Sequence, residues 1–158
     1  MNARNKKKAM PILVSACLLG IRCRYDDTSK PNPQVQALQK DFALIPFCPE
    51  EYGGLSTPRP PAECQADGRV INTEGEDVTD AFTRGAAQAV CLCQDFQISY
   101  AILKERSPSC GPHTRYDGSF SSTLIQAPGL TAKALTEKGI TVLSEEDLLE
   151  TDLIDVLA

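Results

Sequence analysis

The chain has 158 residues, 42% of them apolar and 23% charged, with sixteen basic and twenty-one acidic residues and a formal net charge of −5. That length suits one domain with one core, the composition excludes a disordered chain, and the acidic balance argues against a duplex nucleic-acid binder, which presents a basic face. No apolar run reaches the roughly 18 residues of a membrane span.

Residues 1–10 read as a flexible basic tail, with Asn5-Lys6-Lys7-Lys8 as its charged part, and 11–158 as a single domain. The tail imitates an export signal, because Val14-Ser15-Ala16-Cys17 resembles the site before a lipid-modified cysteine. The apolar stretch ahead of Cys17 is short and contains Pro11, however, and Leu18, Leu19 and Ile21 carry the pattern through the supposed cleavage point, so a cytoplasmic chain is expected.

Ile12 to Ala16 is expected as a buried strand, followed by a loop through Arg24-Tyr25-Asp26-Asp27. Pro33 to Lys40 predicts a short helix, capped by Asn32 and with Pro33 in its first turn. Ala43 to Phe47 is the second expected strand. Two glycines and four prolines between Pro49 and Pro61 predict a loop without regular structure. Asp67-Gly68 and Glu74-Gly75 then punctuate a polar stretch that reads as either a small hairpin or an irregular excursion. The clearest helix runs from Asp77-Val78-Thr79-Asp80 to about Phe96, with Phe82, Ala86, Ala89, Val90 and Cys93 on one apolar face.

Tyr100 to Leu103 predicts the third strand, and Thr123 to Ile125 a short one. Thr131 to Lys138 predicts a helix closed by Gly139. Ile140 to Leu143 is a further strand, and Ser144-Glu145-Glu146-Asp147 opens a final acidic-capped helix. Strands alternating with helices imply an α/β single domain, a mostly parallel Rossmann-like sheet flanked by helices, with its site at the carboxyl ends of the strands.

Seven cysteines fall in this pattern, an odd number that argues against a complete disulfide framework. No C-x-x-C pair exists, so zinc-ribbon and bacterial ferredoxin spacings are both absent. Cys91 and Cys93 lie inside the long helix and read as small buried hydrophobes. Cys17, Cys48 and Cys110 differ, because each sits where an apolar strand gives way to a Gly/Pro-rich loop. If the three strands are neighbours and parallel, these thiols converge on one crevice as a metal or cluster site, with zinc and iron both open at this point. The roles of Cys23, Cys64 and the single histidine, His113, stay open.

The neighbours of these cysteines carry a resemblance. S-A-C-L-L-G followed by C-R-Y-D, then C-P-E with G-G-L-x-T-P-R-P-P-A-E, then L-K-x-x-S-P-S-C-G, resemble the bacterial thiouracil desulfurases, short members of a family long known as a domain of unknown function. The likeness runs from Ile12 to about Leu148 and departs at Asp27, where relatives often have glycine. It implies a 4Fe-4S cluster held by Cys17, Cys48 and Cys110, with one open iron to take sulfur from substrate. It implies non-redox hydrolysis of a thiolated pyrimidine, either 2-thiouracil, 4-thiouracil or 4-thiouridine monophosphate, with release of hydrosulfide.

Glu50, two residues after Cys48, is then the expected acid/base. Ser107 is expected to bind substrate or relay a proton, and Ser109 and Arg59 to contact substrate. Arg59 and Glu63 are expected either to pair with each other or to line the pocket as a lid. The expected partner is a small thiolated base or nucleotide, with neither duplex nucleic acid nor membrane. The alternative function is a redox sensor, or a sulfur or iron carrier, with the same three-cysteine cluster and no desulfurase activity.

Overall fold

The computed structural model describes residues 10–149, and the expected basic tail lies almost wholly outside them. Four parallel strands form the central sheet: β1 (Pro11–Ser15), β2 (Ala43–Phe47), β5 (Tyr100–Leu103) and β8 (Thr141–Ser144), in the order β2-β1-β5-β8. Ile12, Leu13 and Val14 are fully buried, as a central strand covered on both faces requires. The chain moves one way from β1 to β2 and the other way to β5 and β8. The sheet therefore has its switch point at β1 and β5, where such folds open a crevice beyond the strand ends.

Two small antiparallel hairpins sit outside this sheet. One pairs β3 (Ala62–Cys64) with β4 (Val70–Asn72), the hairpin of the two readings for the Gly-punctuated stretch. The other pairs β6 (Arg115–Tyr116) with β7 (Leu124–Ile125); β6 is too short to leave a periodic signal in the sequence.

The helices are α1 (Pro33–Ala37), α2 (Pro49–Tyr52), α3 (Thr79–Asp95) and α4 (Leu130–Glu137). The Asn32 side chain caps α1 by accepting from Val35 N at 3.0 Å, and a 3-10 turn over Leu38–Lys40 completes the expected span. Helix α2 corrects an expectation, since Pro49 to Pro61 begins with a helical turn. Pro49 occupies the first turn, where its missing N–H is no loss, and Cys48 is the N-cap. The expected final helix begins as a 3-10 turn at Asp147–Leu149, and its remainder lies outside the described residues. Among the described residues no helix is long and apolar enough to cross a membrane.

Helix α3 buries Phe82, Gly85, Ala86, Ala89 and Cys93. Cys91, expected to be buried, is instead exposed, because positions two apart on a helix face different ways. At Gly85 the backbones of α3 and α2 are in close approach: a Cβ there would lie 1.9 Å from Pro49 O. Arg84 reinforces the contact, donating from Nε and Nη2 to Gly53 O at 3.2 and 3.0 Å. Alanine would gain about 1 kcal/mol of helix propensity over glycine, but the backbone atom in its way cannot yield. We expect Gly85→Ala to lose about 2 kcal/mol net, by overpacking, and to lower Tm by roughly 5 °C, read by thermal unfolding. An unchanged Tm would mean that α2 is free to move away from α3.

At Asp27 the backbone takes φ +58°, a region that glycine enters without cost and aspartate tolerates. The Asp27 carboxylate pairs with Arg22 Nη2 at 2.8 Å, which ties the left-handed turn to the strand-proximal part of the loop.

Candidate metal centre and active-site cavity

The carboxyl ends of β1, β2 and β5 open onto one cavity of about 610 Å³. The chain reaches Cys17 in a 3-10 turn directly after β1, and Cys48 immediately after β2. Cys110 arrives by a longer route, seven residues past the end of β5. Two features fold that loop back. The buried Glu105 carboxylate accepts from His113 N (3.0 Å), Thr114 N (2.9 Å) and Thr114 Oγ1 (3.1 Å). The first N–H groups of α4, which have no partner within the helix, donate instead to Pro108 O (3.1 Å) and Ser109 O (2.8 Å).

Four thiols line the cavity: Cys17, Cys48 and Cys110, and also Cys23, whose role the sequence left open. Cys17, Cys23 and Cys110 are buried and Cys48 is half-buried. Cys23 Sγ, Cys48 Sγ and a carboxylate oxygen of Glu51 all lie within 4.8 Å of one another. All seven cysteines are unbridged. The Cys17 hydrogen bond is the main influence that pushes the Cys23 thiol up to about 12. Burial, first among several causes, does the same to Cys110, also to about 12. The Cys23 hydrogen bond, followed by burial, drives Cys48 well above the ordinary thiol range. Such neighbours cannot ionise together without a cation between them. A set of soft sulfur donors suits iron, zinc or an iron–sulfur cluster rather than magnesium or calcium.

Beside the thiols runs a polar chain. Arg59 Nε donates to Glu50 Oε1 and Ser109 Oγ to Glu50 Oε2, each at 3.1 Å. Ser107 Oγ accepts from the backbone N–H of Ser109 (3.2 Å) and of Cys110 (3.0 Å). It also lies 3.1 Å from Ser109 Oγ, so its own proton is available to that oxygen. Ser109 Oγ is in turn 3.7 Å from Cys110 Sγ. The Glu50 side chain is 15% exposed and that of Arg59 only 5%.

Arg59 is heavily engaged by protein, donating to Cys23 O (2.8 Å), Thr57 Oγ1 (2.8 Å) and Ser56 O (3.1 Å) as well as to Glu50. It pairs with Glu50 rather than with Glu63, so of the two expectations for Arg59 and Glu63 the ion pair is not formed. Glu63 instead accepts from Gly118 N and Phe120 N.

The structure brings together Glu50, Arg59, Ser107 and Ser109 with Cys17, Cys48 and Cys110 around one cavity. His113 stands apart, bonding through Nε2 to Asp147 at 2.8 Å, which raises its pKa. Cys64 is buried against Val70 and Phe82, its Sγ 3.5 Å from Pro108 O. Glu51 beside Cys23 and Cys48 was not singled out from sequence, although its position next to Glu50 in C-P-E-E was the available signal.

A family model described as 2-thiouracil desulfurase matches residues 12–147. The uncharacterized protein YbbK of Bacillus subtilis (strain 168) is 38% identical over 146 residues, covering 87% of this chain and 97% of that protein. A solved structure described as the 4Fe-4S-dependent thiouracil desulfidase TudS is 44% identical, with a TM-score of 0.84, over 94% of this chain and 99% of its own.

Proposed function

This chain belongs to the 2-thiouracil desulfurase family, and from that membership we propose that it is a 4Fe-4S-dependent desulfidase replacing the thiocarbonyl sulfur of a small thiolated pyrimidine by oxygen. The observation that carries the reading is the position of Glu50. A nearly buried carboxylate is held by Arg59 on one oxygen and Ser109 on the other, in the same cavity as the thiols. An electron-transfer or carrier protein has no need of an oriented proton acceptor there.

The four cavity thiols fit an iron–sulfur cluster in donor type, since such clusters are held by cysteine thiolates. Cys17, Cys48 and Cys110, one from each of three strand ends, are the proposed ligands. When bound, the cluster supplies an exposed iron, a soft Lewis acid matched to thiocarbonyl sulfur.

The chain's own residues supply the rest. Glu50 takes a proton from the attacking water as its oxygen adds to the ring carbon. Ser109, whose proton points at Glu50 and whose oxygen faces Ser107, keeps the carboxylate turned to the cavity and offers a path for the proton's return. Arg59 fixes the other carboxylate oxygen. The adduct collapses with cleavage of the C–S bond. The balance is thiocarbonyl plus water giving carbonyl plus hydrosulfide and a proton, with no change of oxidation state.

The test is anaerobic reconstitution, followed by 2-thiouracil, 4-thiouracil or 4-thiouridine monophosphate without reductant. Thiocarbonyl absorbance is expected to fall on at least one of them, with equimolar uracil (or its nucleotide) and hydrosulfide formed. No turnover on any without a reductant would defeat the hydrolytic reading.

A further inference from the structure

The segment between β6 and β7, residues 117–123, contributes Phe120 and Ser122 to the lining of the cavity. Its backbone is fixed rather than loose. Glu63 Oε1 accepts from both Gly118 N (3.0 Å) and Phe120 N (3.2 Å). Gln65 Nε2 donates to Gly118 O at 3.1 Å. Gly118 has φ +97° and sits so close to β3 that a Cβ would lie 2.7 Å from Cys64 O. Within the loop, Asp117 accepts from Ser119, and the hydroxyls of Ser119, Ser121 and Thr123 bond in succession.

These restraints hold Phe120 in a conformation it would not choose. Its φ is +55°, a region costly for a bulky side chain, and the residue is 41% exposed although it lines the cavity. An aromatic ring kept partly in water at a backbone outlier gains little for the fold itself. Both penalties persist only where surrounding structure imposes them, and such outliers gather at ligand-contacting positions. The ring belongs to the same cavity as Glu50 and the thiols, where a flat pyrimidine would be held.

We propose that the 117–123 loop is a preformed wall of the substrate site, on which Phe120 is the binding residue that stacks on the pyrimidine ring and Glu63 is the positioning residue that holds it there. This rests on the desulfidase reading above for the identity of the ring. Base–aromatic stacking of this kind is sequence-tolerant and depends on the π-face, so it secures the heterocycle while leaving choice of the sulfur position to the groups deeper in the cavity.

The experiment uses the reconstituted protein and two readouts: steady-state desulfuration, and equilibrium binding of uracil, which has no sulfur and does not react. Phe120→Ala is expected to raise both the KM for thiouracil and the Kd for uracil about tenfold, the size of losing one stacked base, while kcat changes much less. Phe120→Tyr keeps the aromatic face and restores binding; Phe120→Leu does not. Glu63→Ala weakens uracil binding in the Phe120 background but adds little in Phe120→Ala, because the two act as one unit. Since Phe120 is 41% exposed and lies outside the buried core, its variants fold. If the parent enzyme turns over thiouracil and Phe120→Ala binds uracil within twofold of the parent, the stacking wall is overturned and the desulfidase reading stands. If the parent protein shows no turnover, the desulfidase reading falls, and this inference falls with it.

Discussion

Replacing Cys17, Cys48 or Cys110 by alanine, one at a time, is expected to leave a folded protein that has lost most of its iron. The reason lies in how the donors are held. Each thiol comes from a different strand end, so no pair of them survives as a local chelate when the third is removed. Losing one sulfur atom from a buried position costs on the order of 1 kcal/mol, small against the binding energy that a metal centre contributes to the folded state. The metal-free variants should therefore unfold cooperatively but gain no thermal stability on reconstitution, while the parent protein does.

Cys91→Ala, at an exposed helix position remote from the cavity, should match the parent in iron content. Cys93→Ala, in the packed core, should also keep its iron while losing some stability. Cys23→Ala is the decisive control. It is expected to retain iron, since Cys23 lies in the loop beyond the turn that carries Cys17 and not at a strand end of its own. Undiminished iron in all of the Cys17, Cys48 and Cys110 variants would end the ligand assignment, and loss in Cys23→Ala would enlarge it.

For Glu50→Gln the expectation is the opposite pairing, a protein that keeps its iron and loses turnover by about 10²–10⁴-fold, the range of a positioned acid/base. Glutamine is nearly isosteric. Its carbonyl oxygen can accept from Arg59 or from Ser109, but its amide takes no proton from water. The Arg59 guanidinium then loses its carboxylate partner while 95% of its side chain stays buried, the complement of its 5% exposure. That loss is softened by its bonds to Cys23 O, Thr57 Oγ1 and Ser56 O, so a modest fall in Tm is expected rather than unfolding. Ser109→Ala should cost less, because it removes the group that orients Glu50 and leaves the carboxylate in place. Activity retained in Glu50→Gln would move the proton transfer to another group.

Much of the scaffold was legible because it rests on local rules. Val14 and its buried neighbours, the Asn32 cap, and the i, i+4 face from Phe82 to Cys93 each announce themselves within a few residues. Helix α2 escaped because proline and glycine density masks a single turn, and proline is as much at home in a first turn as in a loop. Hairpin strand β6 escaped because a strand this short has no period to detect.

The sequence by itself determined the chemistry available: three thiols each at the end of an apolar run, a carboxylate two residues beyond one of them, and serines flanking another. These follow from position along the chain, and alternation of strands and helices is enough to aim them at the carboxyl ends of one parallel sheet. Only the tertiary structure decided which of these groups meet. It put Cys23 beside Cys48, gave Glu50 to Arg59 and Ser109, and turned Glu63 from Arg59 toward the backbone of Gly118 and Phe120. Those pairings join residues up to 59 positions apart, from Glu50 to Ser109. They depend on how loops close over a crevice, which no local periodicity encodes, and hydrogen-bond partners at such range are chosen by packing.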